Sequence, residues 1–306
     1  MKAVDLFAGA GGSSTGARQA GIEVVWAANH WSRAVDIHAL NHPGTQHVCQ
    51  DLSRADFTQM PFHDLLLASP CCQGHSKARG KAHGNPQHDA SRATAWCVIA
   101  ALEAGRAKAA VLENVAEFMN WLLFPAWLDA LRRLGYSFAP LIKDVATLGV
   151  PQNRERLFGI ITKSRKPLWL ELETEPLRGA ETFIAWDTGS WSRIDKPGRA
   201  PATLARVAAG RASFGERFVM PYYGSGSGLT GRDLARPIGT ITTRARWAVV
   251  DGDKMRMLTV GENRDAMTFP KDYILPANGK EAIHMLGNAV PPRAMEKVLT
   301  ALRAAA

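Results

Sequence analysis

The chain has 306 residues, of which 46% are hydrophobic, and its formal net charge is +9. This length is enough for one large domain or for a large domain with a smaller partner, and the positive charge favours a polyanionic partner. The four cysteines are too few for a disulfide framework and show no metal-ligand spacing. No apolar run is long enough to span a bilayer, and a strand-like segment begins almost at Met1, which leaves no room for a signal peptide. We therefore expect a cytoplasmic protein with reduced thiols, no bound metal and no membrane contact.

Residues 3–7 have the composition of a strand that runs into a glycine-rich turn. Gly9, Gly11 and Gly12 form this turn, and residues 15–20 have helical composition. Glycines let the backbone approach a ligand closely, and the start of a helix offers N–H groups to it. The spacing lacks the full dinucleotide-binding pattern, so a nucleotide site and a plain tight turn both remain open.

Two further predicted strands end in polar residues. A strand over 24–28 leads to Asn29 and His30, where nucleotide-binding α/β folds usually carry an acid that holds the ribose. Asn29 can form hydrogen bonds there without adding negative charge. A short strand over 46–49 leads to Asp51, whose carboxylate can accept from an adenine amino group or cap the next helix, and both interpretations stay open.

A pair of cysteines follows the next predicted strand. The apolar run 63–68 predicts a buried strand, and Cys71 and Cys72 come shortly after it. Open α/β sheets bind ligands at this edge, so a thiol here is a candidate nucleophile, with small buried core residues as the alternative. Residues 74–92 are basic and contain glycines, which predicts either a loop that closes over a phosphate backbone or a solvated surface loop.

An acid and two arginines belong to the second half of the predicted sheet. A strand over 109–112 ends at Glu113, and a strand over 157–161 follows Arg154 and Arg156. Side chains two apart in a strand share a face, so we expect both arginines to point the same way. Two arginines beside a nucleophile and an acid suit an anionic or carbonyl-bearing substrate.

The composition changes at about residue 163, where tryptophan, proline and scattered arginines replace the alternation of strands and helices. This change predicts a smaller, less regular domain. The chain then returns to a strand-like segment over 240–243 and to a helix after Pro292, which should pack beside the first strand. Other helices are predicted over residues 15–20, 33–40, 94–105 and 121–134.

Taken in this order, the segments resemble the DNA cytosine-5 methyltransferases. The resemblance covers residues 2–163 and 236–306 and rests on five short motifs that stand in the family's order. The motifs are Asp5-Leu6-Phe7-Ala8-Gly9-Ala10-Gly11-Gly12, Cys72-Gln73, Glu113-Asn114-Val115, Gln152-Asn153-Arg154-Glu155-Arg156 and Gly287-Asn288-Ala289-Val290-Pro291.

The resemblance implies an α/β fold. It is the Rossmann-like class I methyltransferase fold with a mostly parallel sheet, plus a smaller irregular target-recognition domain. The implied catalytic and cofactor-binding domain is 1–163, and the implied target-recognition domain is 164–235. The return segment 236–306 would complete both. The target-recognition segment is short, which predicts a short or degenerate recognition site.

The resemblance also implies a role for each matching residue. Cys72 matches the nucleophile, and Glu113 matches the acid that engages N3 and the amino group of the target cytosine. Arg156 matches the arginine that holds O2 of the base, with Arg154 in support. The implied cofactor is S-adenosylmethionine, and the implied enzyme is a monomer that acts on double-stranded DNA. The expected cofactor-binding residues are Phe7, Ala8, Gly9, Gly11, Gly12, Asn29, His30, Asp51, Leu52, Asn288 and Val290.

Two positions depart from the family's pattern. Cys71 replaces the proline that commonly precedes the nucleophile, so Cys71 is a second candidate thiol beside Cys72. Asn29 replaces the usual ribose acid, which either weakens cofactor binding or accommodates a cofactor whose transferred group carries a carboxylate. An RNA substrate and a catalytically silent DNA-binding homologue also remain open. The incomplete glycine pattern and the missing acid disfavour a nucleotide-dependent oxidoreductase.

Overall fold

A computed structural model of the chain describes residues 1–71, 93–222 and 231–305. The chain divides into two compact units. The first unit consists of Met1–Asp144, Glu155–Glu173 and Val290–Ala306, and the second consists of Val145–Arg154 and Thr174–Ala289. Each unit therefore combines segments that are far apart in the sequence.

The first unit is built on a seven-stranded sheet in the order β3-β2-β1-β4-β5-β7-β6. Strands β1 to β5 are parallel, and β7 is antiparallel to both of its neighbours, β5 and β6. The predicted mostly parallel α/β sheet is thus confirmed. The strands are β1 Lys2–Leu6, β2 Glu23–Asn29, β3 Gln46–Cys49, β4 Leu65–Ala68, β5 Ala109–Asn114, β6 Ser137–Asp144 and β7 Glu155–Thr162.

Apolar runs explain the central strands of this sheet. Every residue of β4 is buried, and β1 and β5 are buried except at their first residues. Parallel strands of this kind are covered on both faces, which is why they are continuous hydrophobic runs and do not alternate. The described helices are α1 Gly12–Gln19, α2 Ser32–Asn41, α3 Trp96–Gly105, α4 Phe124–Arg133, α5 Pro201–Phe214, α6 Val260–Ala266, α7 Gly279–Asn288 and α8 Pro292–Ala305.

Prolines explain two differences between the predicted and the observed secondary structure. Helix α4 begins at Phe124, later than predicted, because Pro125 occupies its first turn, where a missing N–H costs least. Strand β6 is not predicted because it contains Pro140 and has no simple alternation. It lies at the end of the sheet, where proline is tolerated since one side of an edge strand needs no ladder bonds.

The second unit contains a four-stranded antiparallel sheet in the order β8-β11-β10-β9. Alternate residues of β9 and β10 pack with α5 into a small core that includes Val207, Phe218, Met220 and Val250. The smaller domain is therefore more regular than its composition predicts. Its strands are β8 Ser192–Arg193, β9 Arg217–Pro221, β10 Trp247–Asp251 and β11 Lys254–Met257.

The predicted strand over 240–243 is wrong, because these residues have no strand pairing. Polar contacts hold them instead. The backbone N–H of Ile241 donates to Oε1 of Gln152 at 3.1 Å, and Oγ1 of Thr240 donates to the carbonyl of Asn153 at 2.8 Å. The β-branched residues on which the strand prediction rests therefore belong to an irregular segment, which a buried glutamine anchors.

Helix α8 packs against α1, the helix that follows the first strand. Gly16 permits the close approach, because a Cβ at this position would lie 2.5 Å from the carbonyl oxygen of Pro292 and 2.7 Å from Cβ of Met295. The last helix of the chain is thereby fixed to the helix that begins at the glycine turn.

We expect Gly16→Ala to destabilise the protein, although alanine is the better helix former. The added methyl group has no room beside α8, so the unfolding free energy should fall by about 1–3 kcal/mol. Urea denaturation measures the change. The control is Gly44→Ala, because nothing lies within 4 Å of a Cβ there. Equal midpoints for the two variants would contradict the packing argument.

Candidate functional site

The carboxyl edge of the seven-stranded sheet gathers the predicted site residues of the first unit. Parallel strands β1, β2, β4 and β5 end at this edge, and β7 begins there because it runs in the opposite direction. Phe7, Asn29, Cys71, Glu113 and Arg156 are therefore delivered to one edge from distant parts of the sequence.

Glu113 and Arg156 form an ion pair at this edge. Nε of Arg156 lies 3.0 Å from Oε1 of Glu113, and the side chains are only 13% and 10% exposed. Glu113 pairs with Phe158 across β5 and β7, so Arg156, two residues before Phe158, is its diagonal neighbour on the same face. An acid and a guanidinium are thus held side by side, where a polar ring can contact both.

The segment before Cys72 is fixed at two points. Nδ2 of Asn114 donates to the carbonyl of Pro70 at 3.1 Å, and the N–H of Cys71 donates to Oγ1 of Thr94 at 3.1 Å. Cys71 carries a free thiol and is partly exposed. Cys72 lies outside the described residues, as does the basic segment 74–92, so the predicted nucleophile and loop stay predictions.

Asn114 and Thr94 carry no role in the sequence-based site. Asn114 is 1% exposed, and it both donates to the loop and accepts from the next backbone N–H. Its sequence signal is its position in the motif Glu113-Asn114-Val115, directly after the acid near the end of β5. Thr94 gives no signal at all, because its partner is 23 residues away in the sequence.

The glycine turn after β1 has a strained backbone. Phe7, Gly9 and Gly11 have φ values of 60°, 53° and 84°. A bulky residue such as Phe7 rarely adopts a positive φ, and such residues cluster at ligand sites. The N–H of Ala8 donates to the carbonyl of Ala28 at 3.1 Å, which ties the turn to β2. A turn of this kind allows close approach to the backbone at the start of α1.

Gly12, the first residue of α1, has no space for a side chain. A Cβ there would lie 2.0 Å from the carbonyl oxygen of Val290. Val290 is itself 3% exposed and belongs to the same unit. These two predicted cofactor residues therefore meet, and their contact fixes the turn from behind.

Asn29 ends β2 and is 9% exposed. Its Oδ1 accepts from the backbone N–H of Trp31 at 2.9 Å, and its carbonyl accepts from Gln50 at 3.0 Å. An aspartate could accept the same bond from Trp31, so asparagine preserves this turn while removing the charge. The neighbouring His30 is exposed. The side-chain amide of Asn29 can donate a hydrogen bond. The acid that is usual at this position in the family would instead accept one from a ribose hydroxyl.

Asp51 caps the short helical turn Leu52–Arg54. Its Oδ1 accepts from the N–H of Ser53 at 3.0 Å and from its hydroxyl at 2.8 Å. These hydrogen bonds lower the pKa of the Asp51 carboxyl. Leu52 is buried beneath it. The cap is therefore confirmed, and the contact of Asp51 with adenine stays a prediction.

Arg154 belongs to the second unit, in contrast to Arg156. It is 3% exposed, and its guanidinium donates to the carbonyls of Ile241 at 2.9 Å, Gly287 at 3.0 Å and Ala289 at 3.1 Å. Strand β7 starts after Arg154, so the strand alternation does not reach it. The two arginines therefore have different partners, and Arg154 anchors the end of α7.

Asn288 is the last residue of α7 and is exposed. Its Nδ2 lies 3.1 Å from Nε2 of His284, one turn earlier. Asn288 belongs to the second unit, whereas the predicted cofactor residues on the sheet belong to the first. Its place in a cofactor site stays a prediction.

A buried chain of polar side chains lies behind the glycine turn. The hydroxyl of Ser14 donates to Oδ2 of Asp5 at 2.7 Å and lies 3.0 Å from Nε2 of His38, whose Nδ1 is 2.8 Å from Nε2 of His47. Burial raises the pKa of Asp5 to about 7 and lowers the pKa of both histidines. The chain links β1, α1, α2 and β3, and so braces the turn.

Two other kinds of site can be assessed only for the described ranges. Within 1–71, 93–222 and 231–305, no three or more His, Cys, Asp or Glu side chains are grouped so as to hold a metal ion. In the same ranges, none of the helices combines the length and hydropathy required to cross a membrane.

Comparison with known proteins gives concordant matches in sequence. The model of the family described as C-5 cytosine-specific DNA methylase matches residues 1–182 and 202–304. The type II methyltransferase M.HgiDI of Herpetosiphon aurantiacus is 29% identical over 316 residues, which cover 99% of this chain and 94% of that protein. M.HindV of Haemophilus influenzae is 28% identical, with 99% of this chain and 96% of that protein covered.

A comparison of structures agrees on the fold. A mutant of Spodoptera frugiperda DNMT2 superposes with a TM-score of 0.69 at 19% identity, and the match covers 99% of both chains. At this identity the likeness concerns the fold alone. It confirms the predicted class I methyltransferase fold.

His42 is 6% exposed, and its Nε2 lies 3.3 Å from Oγ1 of Thr15 in α1. We therefore expect protonation of His42 to destabilise the first unit. Burial lowers the pKa of His42 from 6.5 to about 4, so its contribution to the unfolding free energy is complete above pH 6.5 and is lost as the pH falls toward 4. The stability difference between the unmodified chain and His42→Asn should shrink by up to about 3 kcal/mol over that interval.

Urea denaturation at a series of pH values measures this difference. Asp5 titrates in the opposite sense, since its raised pKa adds stability as the pH falls below about 7. Asp5 is present in both proteins, so its effect cancels in the comparison. A stability difference that stays constant with pH would contradict the assignment.

Proposed function

The chain belongs to the C-5 cytosine-specific DNA methylase family, and on this premise we propose that it transfers a methyl group from S-adenosylmethionine to carbon 5 of a cytosine extruded from duplex DNA. Family membership and the type II relatives support DNA cytosine methylation. The ion pair of Glu113 and Arg156 carries the finer proposal, because it stands at the sheet edge reached by the segment before Cys72.

Cys72 is the proposed nucleophile. Carbon 5 of cytosine is weakly nucleophilic, so the thiolate first adds to C6, which makes the ring an enamine that can attack an electrophilic methyl group. When bound, S-adenosylmethionine would supply that methyl group from its sulfonium, with the methyl–sulfur bond breaking and the neutral thioether S-adenosylhomocysteine as leaving group. A base then removes the C5 proton, the C6–S bond breaks and Cys72 leaves as thiolate. Pro70 and Cys71 are held by Asn114 and Thr94, which supports a fixed approach for this thiol.

Glu113 and Arg156 make the ring accept electrons. A protonated Glu113 donates to N3, and the guanidinium of Arg156 donates to O2, so both stabilise the negative charge that the thiolate introduces. In the free protein the two side chains neutralise each other at 3.0 Å. A bound base breaks that contact and gives each side chain a partner of its own, N3 for Glu113 and O2 for Arg156. The screening of both side chains from water strengthens these interactions.

The first unit offers a fitting place for the cofactor. The residues that would hold it are the backbone of the turn from Phe7 to Gly12, Asn29 and His30 at the end of β2, and Asp51 with Leu52 after β3. The positive φ of Phe7 and the partial exposure of Phe7, Ala8 and Gly9 support this placement. Asn29 would donate to the ribose through its amide, and Val290 would support the turn through its contact with Gly12.

The second unit is the proposed DNA reader. Trp186 and Trp191 stack with ring centroids 6.4 Å apart, and the guanidinium of Arg217 lies 4.7 Å from the centroid of the Trp186 ring. Fixed aromatic and guanidinium planes suit contacts with bases and phosphates. The proposed target-recognition domain over 164–235 falls mostly in this unit, which also includes 145–154 and 236–289. The proposed catalytic domain over 1–163 falls mostly in the first unit, and the return segment over 236–306 is divided between the two units.

Removing the acid should slow the reaction without preventing folding. We expect Glu113→Gln to lower the single-turnover rate of methyl transfer about 100-fold or more, because an amide cannot protonate N3. Mass spectrometry of nucleosides from treated duplex DNA measures 5-methylcytosine. The control is Glu103→Gln, since Glu103 is exposed on α3.

The same measurement separates the alternatives. Product in RNA but not in duplex DNA would overturn the proposed substrate, and a carboxylated pyrimidine formed only from a carboxylated cofactor would overturn the proposed transferred group. A catalytically silent homologue would give no modified nucleoside from either cofactor. Equal rates for Glu113→Gln and Glu103→Gln would exclude Glu113 as the acid.

The identity of the nucleophile has its own test. On duplex DNA containing 5-fluorocytosine, the missing C5 proton blocks release, so an active thiol remains bonded to the base. We expect a denaturation-resistant adduct with the unmodified chain and with Cys71→Ser, and none with Cys72→Ser. Noncovalent DNA binding by Cys72→Ser is the control for folding. Loss of the adduct in Cys71→Ser alone would transfer the role to Cys71.

A further inference from the structure

A pocket of about 690 Å³ lies in the first unit, away from the site described above. Asp64 and Lys108 precede β4 and β5, and Lys163 and Lys166 follow β7, so the pocket lies at the amino ends of the parallel strands. Strand β5 has 6 residues, which places Glu113 about 17 Å from Lys108 along the strand. The pocket therefore has no part in the proposed methyl transfer.

The backbone around this pocket is fixed by hydrogen bonds. The N–H of Lys163 donates to the carbonyl of Lys108 at 2.9 Å, and the N–H of Lys108 donates to the carbonyl of Asp64 at 2.9 Å. Oγ of Ser137 donates to the carbonyl of Lys166 at 3.0 Å. Three lysines from two segments, Lys108 before β5 and Lys163 with Lys166 after β7, are thus held on one framework.

The charges of the pocket are unbalanced. Lys108 has a weak contact with Asp64 at 3.4 Å, and its side chain is 82% exposed. Within the described part of the chain, Lys163 and Lys166 form no ion pair. Nζ of Lys163 lies 4.6 Å from the centroid of the buried Tyr136 ring, which restrains the cation beside the pocket. Three lysines face one carboxylate, so the pocket is positively charged.

The rest of the lining is mostly apolar, with Thr162 and Ser164 as its polar members. Leu168 and Leu302 contribute to it, and Leu302 is 2% exposed. The volume is in the usual range for small-ligand sites, which combine an apolar body with a few polar groups that fix orientation. An inorganic ion would leave the apolar wall in water, and a neutral apolar molecule would leave the lysines unpaired.

We propose that this pocket binds a small amphipathic anion, a phosphate ester or carboxylate that carries an apolar chain or ring. The anionic group contacts the lysines, and competes with Asp64 for Lys108. The apolar part packs against Pro167 and Leu168. This inference is independent of the proposed methyl transfer.

The test is isothermal titration calorimetry of the full chain with octyl phosphate. We expect saturable binding of one molecule, with octanol and inorganic phosphate each bound at least about tenfold more weakly, since each lacks one half of the ligand. No saturable binding of octyl phosphate, or equal affinity for octanol, would overturn the proposal.

Two variants locate the site. The combined Lys108→Gln, Lys163→Gln and Lys166→Gln variant should lose about tenfold or more in affinity for octyl phosphate. The combined Lys196→Gln, Lys254→Gln and Lys280→Gln variant removes the same charge from exposed positions of the second unit and should bind like the unmodified chain. Equal losses in both variants would show nonspecific attraction and overturn the proposal.

Leu168→Asp is a single-residue check on the apolar wall. It should weaken octyl phosphate binding by a similar factor, because it places a carboxylate beside the ligand. Unchanged binding would overturn the proposed position of the apolar part. Circular dichroism of each variant confirms that it is folded before titration.

Discussion

The contact between Glu113 and Arg156 depends on the reversed strand β7. If β7 ran parallel to β5, its first residues would lie at the other edge of the sheet, roughly 25 Å away for a strand of this length. Because β7 is antiparallel, Arg156 near its start meets Glu113 near the end of β5. The pair that is proposed to polarise a cytosine is therefore a consequence of sheet topology, and it needs no specialised loop.

The other groups at this edge are also placed by the sheet. Asn114, the last residue of β5, holds Pro70, and Thr94 holds Cys71. Behind the glycine turn, the chain from Asp5 through Ser14 to the histidines joins elements on which the turn rests. Sites supported in this way keep reacting groups in position because the supporting side chains are themselves packed and hydrogen-bonded.

The sequence could not predict the hydrogen-bond and ion-pair partners of most polar side chains in the site. The motif containing Arg154 and Arg156 suggests one shared face, yet the motif crosses from one unit to the other, and only Arg156 meets Glu113. Arg154 bonds to Gly287, 133 residues away. Asp51 shows the opposite case, because its local cap on the next turn follows from residue type and spacing alone.

The sequence by itself determined the parallel strands, the glycine turn, and the family to which the motifs point, because buried runs and turn residues act over a few neighbouring positions. The sequence-based predictions were wrong at β6 and at the start of α4, where prolines occur, and over 240–243, where β-branched residues do not form a strand. Only the tertiary structure decided that β7 is reversed, that Asn114 supports the cysteine segment, and that three lysines surround a pocket at the opposite edge. These features depend on which distant segments become neighbours, and hydrophobic pattern fixes burial without fixing the partners of polar groups.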